Sequence, residues 1–102
     1  MPRAATTSDV YNAIAEPQRR AILDYLAAGE YPVNSVVEAL EMDQPSVSKH
    51  LGLLKEVGLV EVRRAGRQRL YRMNGAGIQT VHDWTKQFER FWDAQLDRDL
   101  TH

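Results

Sequence analysis

Along the first half of the chain, apolar residues recur at intervals of three and four in four short sets. These are Val10 and Ile14 with the ring of Tyr11; Ile22, Leu23 and Leu26; Val33, Val36, Val37 and Leu40; and Val47, Leu51 and Leu54. That spacing lays a single apolar stripe along a helix, so each set predicts a short helix with one face turned inward. The residues between the sets supply the punctuation. Thr7 or Ser8 has the hydroxyl to cap the first helix. Pro17 fits the first turn of the second, whose N–H is unpaired in any case, and Gly29 would provide a left-handed stop after about Ala28. Pro32 restarts the chain, Val33 to Leu40 form the third helix, and Glu41, Met42 and Asp43 form a turn. Asp43 is placed to cap the fourth helix, where its carboxylate also suits the positive end of the helix dipole, and Pro45 falls in the tolerant first turn.

Gly58 ends that helix and the pattern changes. Leu59 to Arg64 and Arg67 to Met73 are rich in β-favouring residues on either side of Ala65-Gly66, which predicts a hairpin with a basic tip. Asn74-Gly75-Ala76-Gly77 breaks the chain again. Beyond it Ile78, Val81, Trp84, Thr85, Phe88, Phe91, Trp92 and Leu96 mark a long final helix over about residues 77–98. The order is therefore helix, helix, helix-turn-helix, hairpin, helix, with no internal repeat.

Composition narrows what such a chain does. At 102 residues it makes one domain, small enough that burying surface against a second copy would add useful stability. The absence of cysteine excludes disulfides, thiolate metal sites and cysteine nucleophiles, and permits a reducing compartment. No stretch is apolar for long enough to span a membrane or act as a signal, so a soluble, cytoplasmic protein with no membrane partner is expected. The net charge of −1 conceals an asymmetry. Between Gln44 and Arg72 seven basic residues (Lys49, Lys55, Arg63, Arg64, Arg67, Arg69, Arg72) face two acidic ones (Glu56, Glu61), a balance of +5 that leaves −6 for the remainder. A basic stripe on an acidic body orients a molecule toward phosphate. Within the stripe, Gln44-Pro45-Ser46-Val47-Ser48-Lys49-His50 sets short polar side chains beside longer hydrogen-bonding ones on the front of a helix whose back is apolar, the requirement for insertion into a DNA groove.

Taken together, four segments resemble the ArsR-type winged-helix repressors: Glu16 to Leu23, Gln44 to Leu51, Gly58-Leu59-Val60, and Gly66-Arg67-Gln68-Arg69-Leu70-Tyr71-Arg72. They fall in the family's order and spacing over nearly the whole chain. The resemblance implies a mainly α winged helix-turn-helix of about five helices with a two-stranded wing, the helix-turn-helix at about 33–57 and the wing at about 59–73. It also implies a homodimeric transcription regulator joined through its first and last helices. Val10, Tyr11, Val81, Trp84, Phe88, Phe91 and Trp92 are then the expected seam. Departures from the family pattern bear on metal. Members that sense metal through cysteines use the helix that here runs from Val33 to Leu40, which has none. Aligning the family's other site on His82 puts Thr80, Asp93 and Leu96 at the remaining positions, which is no zinc site. The resemblance is therefore to the metal-independent, autorepressor-like branch, with no cofactor.

These readings have plainer rivals. His82 and His102 lack spaced partners and fit structural or solvated roles. Ser46, Ser48 and His50 follow one another on one helix with no oxyanion loop and no third orienting group, so they make no hydrolase triad and the chain is not expected to be an enzyme. The aromatic band of Trp84, Phe88, Phe91 and Trp92 serves as a ligand pocket, a core stripe or a dimer seam, and it is too wide for one small domain to cover alone. The expectation is a homodimeric repressor that binds a pseudo-palindromic operator in double-stranded DNA. Gln44, Ser46, Ser48 and His50 would meet bases or adjacent phosphates, and Lys49, Lys55, Arg63, Arg64, Arg67 and Arg69 would supply electrostatic attraction. The alternatives are a winged-helix protein-interaction module using the aromatic helix, or a repressor relieved by a small organic ligand at the dimer interface. The sequence names no effector.

Overall fold

The computed structural model describes residues 9–100. Among these, six helices and one hairpin follow in the order α1 (Val10–Ile14), α2 (Pro17–Leu26), α3 (Val33–Leu40), α4 (Gln44–Glu56), β1 (Val60–Ala65), β2 (Gln68–Met73), α5 (Gly75–Lys86) and α6 (Glu89–Leu100). The expected caps at Thr7 or Ser8 lie outside the described residues. Asp9 performs that task, its Oδ1 accepting the Asn12 N–H at 2.7 Å. A helix as short as α1 has little stability of its own. Arg19 and Arg20 of α2 supply the rest by donating to its C-terminal carbonyls, Nε of Arg19 to Ala13 O and Nη1 of Arg20 to Ile14 O, both at 2.7 Å.

Gly29 is not the left-handed stop expected of it. Positive φ falls at Glu41, Gly58 and Gly66 among the described residues, and α2 instead closes through Ala27 in the right-handed region, its N–H bonded to Leu23 O at 2.8 Å. The left-handed residue of the helix-turn-helix is Glu41, at φ 52° directly after α3. Pro32 caps α3 with no side-chain hydrogen bond, so that helix begins on backbone bonds from Ser35 and Val36 to Pro32 O.

The apolar stripes meet in one core. Ile22, Leu23 and Leu26 of α2, Val36 of α3, Val47, Leu51 and Leu54 of α4, and Leu59 and Val60 at the start of the hairpin are all buried, with Ala13 of α1 closing one end. No polar side chain is buried among the described residues. Removing each large aliphatic group from water contributes about 1.5–3 kcal/mol. The hairpin pairs antiparallel from Val60 opposite Met73 to Ala65 opposite Gln68, and Gly66 supplies the positive φ, 66°, that its two-residue turn needs. Tyr31 lies along the free edge of β2 and exchanges two backbone bonds with Tyr71, at 3.0 and 2.9 Å.

The stretch expected to break the chain after the hairpin instead starts α5. Asn74 is its cap. Its Oδ1 accepts from Ala76 N–H at 3.2 Å, its Nδ2 donates to Gly58 O at 2.9 Å, and its own N–H donates to Leu59 O at 2.8 Å. Gly77 lies against the same junction so closely that a Cβ there would overlap the Gly58 carbonyl oxygen and stand 2.9 Å from its carbon. The single final helix expected from the aromatic spacing is also two helices. At the end of α5 the Thr85 hydroxyl donates to His82 O at 3.0 Å and the Gln87 amide to Trp84 O at 2.9 Å, while the Phe88 N–H bonds three residues back to Thr85 O. Side chains that compete for backbone carbonyls, together with a tightened last turn, end the helix there, and α6 restarts at Glu89.

Gly77→Ala is expected to destabilise the protein by about 1–3 kcal/mol in urea denaturation, because the obstacle is backbone and cannot rotate away. Gly75→Ala, with nothing within 4 Å, is the control and should leave stability unchanged or raise it.

Candidate nucleic-acid interface

Helix α4 is fixed at its back and its start. Val47, Leu51 and Leu54 are in the core, and the Asp43 carboxylate caps the first turn, Oδ2 accepting from Ser46 N–H and Oδ1 from the Ser46 hydroxyl, both at 2.9 Å. Those Ser46 bonds, backbone first, hold the Asp43 carboxyl below its ordinary range. They also occupy the Ser46 hydroxyl proton. Gln44, Ser48, Lys49 and Lys55 are exposed along the front of the helix.

His50 is half-buried, with Nε2 3.1 Å from Gln18 Oε1, an arrangement in which the ring donates to the amide oxygen. Burial first, and then the nearby Arg19 cation, lower the affinity of this imidazole for a proton. Gln18 and Arg19 were not among the expected site residues. They precede His50 by some thirty positions, and no local spacing connects them to it. Arg19 nevertheless lines one surface recess with Ser46, Ser48, Lys49 and His50.

On the other flank of α4, Ser48 lines a recess with Asn34, Gln68, Arg69 and Tyr71, so recognition helix and wing share a continuous surface. Lys55 lines the next recess along with Val62, Arg63, Arg64 and Arg69. The strand register places Arg64 opposite Arg69, with Arg67 in the turn beyond them. Like charges directly opposite one another weaken a ladder, and an anion placed between them removes the repulsion.

Two cations of the basic stretch are matched by carboxylates, although Arg63 also borders the Lys55 recess. Side chains alternate across a strand, so Arg63 and Arg72 share the hairpin's opposite face with Glu61. There Arg72 Nε bonds Glu61 Oε1 at 2.8 Å, and Arg63 grips both oxygens of Glu30, Nε to Oε2 at 2.8 Å and Nη2 to Oε1 at 2.9 Å. Arg63 holds the Glu30 carboxyl below its usual range, and Glu30 in turn raises the Arg63 guanidinium.

The expected seam residues lie at the other end of the molecule. The Tyr11 and Trp84 rings meet edge to face at 6.0 Å, and Trp84 meets Phe88 likewise at 5.4 Å, so α1 and α5 carry one aromatic ladder. Trp84 remains 51% exposed, Phe91 59% and Trp92 55%. Val81 is half-buried, and Val10 packs against the core instead of lying in the ladder.

An amphipathic helix held from behind, with a polar front and a basic hairpin beside it, is a winged helix-turn-helix DNA-binding domain. The family model "Bacterial regulatory protein, arsR family" matches residues 16–62, which hold α2, the helix-turn-helix and the start of the wing. The transcriptional repressor SdpR of Bacillus subtilis is 32% identical over 87% of this chain and 99% of its own length. Among solved structures, the homodimeric winged helix-turn-helix domain of a possible ArsR-family regulator from Mycobacterium bovis is similar with a TM-score of 0.66 at 34% identity, covering 79% of this chain and 75% of that one. An ArsR-like transcriptional regulator from Rhodococcus sp. RHA1 superposes with a TM-score of 0.73 at 28% identity over 92% and 89%. The chain belongs to the arsR family. It is a DNA-binding transcriptional repressor and not an enzyme. No helix among the described residues is long and apolar enough to cross a membrane.

The His50 environment gives a pH signature. Its imidazole should titrate below the ordinary value near 6.5 when followed by NMR in the DNA-free protein. Because the unfolded chain then binds the proton more readily than the folded one, the contribution of His50 to stability is present above about pH 6.5 and falls away as pH drops toward the folded value. A midpoint at or above 6.5 would contradict the burial argument.

Proposed function

We propose that the protein acts as a homodimer that represses transcription by occupying a pseudo-palindromic operator in the cytoplasm, without a metal cofactor. The observation that carries the DNA-contact assignment is the opposed Arg64–Arg69 pair beside Lys55 and the turn residue Arg67, a cluster of cations whose mutual repulsion a phosphate backbone relieves. In this reading α4 enters the major groove. Gln44 and Ser48 meet base edges, Ser46 and His50 meet bases or phosphates at the edge of the groove, and Lys49, Lys55, Arg64, Arg67 and Arg69 neutralise phosphates. Ser46 has the weaker case as a reader of sequence, because its hydroxyl proton is engaged by Asp43.

The dimer reading rests on the exposed ladder of Tyr11, Trp84 and Phe88, continued by Phe91 and Trp92 on α6, and on the homodimeric state of the Mycobacterium bovis relative. A two-fold pair of heads sets two recognition helices against two half-sites, which makes the operator pseudo-palindromic. Metal independence is supported by the absence of cysteine and by the lack, among the described residues, of any cluster of three or more histidine and carboxylate side chains able to hold an ion. The exposed aromatics also fit a protein partner, but the cation cluster favours DNA.

Binding titrations on operator and random DNA at several salt concentrations, each with chelator and with added zinc, test the assignment. Arg67→Ala and Arg69→Ala should weaken both DNAs alike and reduce the log–log salt slope by about one unit for each phosphate no longer neutralised. Gln44→Ala or Ser48→Ala should narrow the gap between operator and random DNA by about 1–3 kcal/mol. Zinc and chelator should leave affinity within about twofold; a larger specific change would reveal a ligand set that the geometry does not display.

For the dimer, sedimentation equilibrium should show the parent protein as a dimer at micromolar concentration. Trp84→Glu should weaken self-association at least tenfold, roughly the effect of removing one buried aromatic anchor, while circular dichroism stays helical because the exposed Trp84 adds nothing to the core.

A further inference from the structure

We propose that the Glu30–Arg63 ion pair is a clamp that sets the position of the wing relative to the helix-turn-helix, so that Arg63 acts through Glu30 and not on DNA. The proposal rests on the DNA-contact assignment above and refines it. Arg63 belongs to the basic stretch by sequence, yet its guanidinium is committed to a two-pronged grip on a carboxylate 33 positions away. Around it Glu30, Arg63, Arg72 and Glu61 line one recess in which the charges cancel in pairs. The pleat puts this neutral cluster on one face of the hairpin and the Arg64–Arg69 pair on the other.

The place of the clamp gives it a task. A two-stranded hairpin is marginal by itself and twists readily. This one meets the core at its inner end, where Val60 is buried and Tyr71 and Met73 pack against it, and its exposed tip projects beyond. At its outer edge β2 is attached through Tyr31, whose two backbone bonds go to Tyr71. The Tyr31 ring rests against that of Tyr25 on α2, with centroids 4.4 Å apart, and Pro32 next to it starts α3. Glu30 lies on the other side of Tyr31. Its bond to Arg63 reaches from this loop across the hairpin to β1, so both strands are tied to the segment that leads into the helix-turn-helix. An exposed pair of this kind adds little to global stability, but it does bias a lever arm.

The test uses Glu30→Gln, Arg63→Gln and the charge-swapped double variant Glu30→Arg with Arg63→Glu, in operator titrations over a range of salt and in amide hydrogen exchange. Each single variant should weaken operator binding about two- to fivefold, the ceiling set by the strength of an exposed pair, with salt slopes parallel to the parent. The swapped variant should recover the loss. Exchange at the Tyr31 and Tyr71 amides should quicken in the single variants and slow again in the swap. The clamp is overturned if Arg63→Gln lowers the salt slope by about one unit, the mark of a phosphate partner. It is overturned equally if Glu30→Gln binds as tightly as the parent or tighter, as simple removal of a negative charge would produce, or if the swap recovers nothing. Failure of the wider DNA assignment would appear elsewhere, as an unchanged affinity in Arg67→Ala and Arg69→Ala.

Discussion

Burial of Val47, Leu51 and Leu54 among Ile22, Leu26, Val36 and Leu59 is the constraint on which the DNA-facing surface depends. Those three residues fix the rotation of α4 about its own axis. If the helix were turned by one residue, or about 100°, the apolar stripe would leave the core and Ser48 and Lys55 would face it. The Asp43 cap fixes where the helix begins, and Leu59 fixes where the chain leaves it for the wing. The polar front of α4 is therefore the remainder of a packing solution, and its placement comes from aliphatic contacts on the opposite side of the helix.

The same core couples α4 to the aromatic ladder on α1 and α5. Leu59 and Gly58, at the junction of α4 and β1, accept the bonds that start α5, and Gly77 leaves no space between that junction and the first turn of α5. The helix carrying Trp84 is thus seated on the end of the helix that carries Ser48 and Lys49. With no Cβ at Gly77 and two Asn74 bonds across the contact, the spacing between the aromatic ladder and α4 is set by backbone atoms, which adjust far less than side chains. In a dimer that spacing governs the separation of the two reading helices.

Electrostatics are organised by the pleat of the wing. A count along the chain groups Arg63, Arg64, Arg67, Arg69 and Arg72 as one patch. In the hairpin they divide, because neighbouring residues on a strand point to opposite faces. Arg63 and Arg72 are matched by Glu30 and Glu61, while Arg64 and Arg69 oppose one another beside Lys55. One face of the wing is neutral and is tied through Glu30 to the loop before α3. The other, with the tip, holds the cations that favour phosphate.

Much of the molecule was legible in the sequence because the relevant physics is local. Periodic apolar residues marked α1 to α4, Asp43 and Pro45 marked the start of α4, Gly66 marked the turn, and the polar front of α4 is the complement of its buried back. The break between α5 and α6 depended on hydroxyl and amide side chains of Thr85 and Gln87 competing for carbonyls, which aromatic spacing does not register. Gly77 resembled a loop residue in a run of Asn and Gly, and its reason for being small is Gly58, nineteen positions earlier and adjacent only after folding. His50 beside Gln18, Arg63 beside Glu30, and Tyr11 beside Trp84 are likewise pairs that only the tertiary structure makes. The sequence by itself determined which segments are helices and strands and where positive charge concentrates, since those follow from neighbours within about four residues. Only the tertiary structure decided which cations are matched and which are left for an anion, because ion pairing depends on distances of a few ångströms between groups that the chain keeps tens of residues apart.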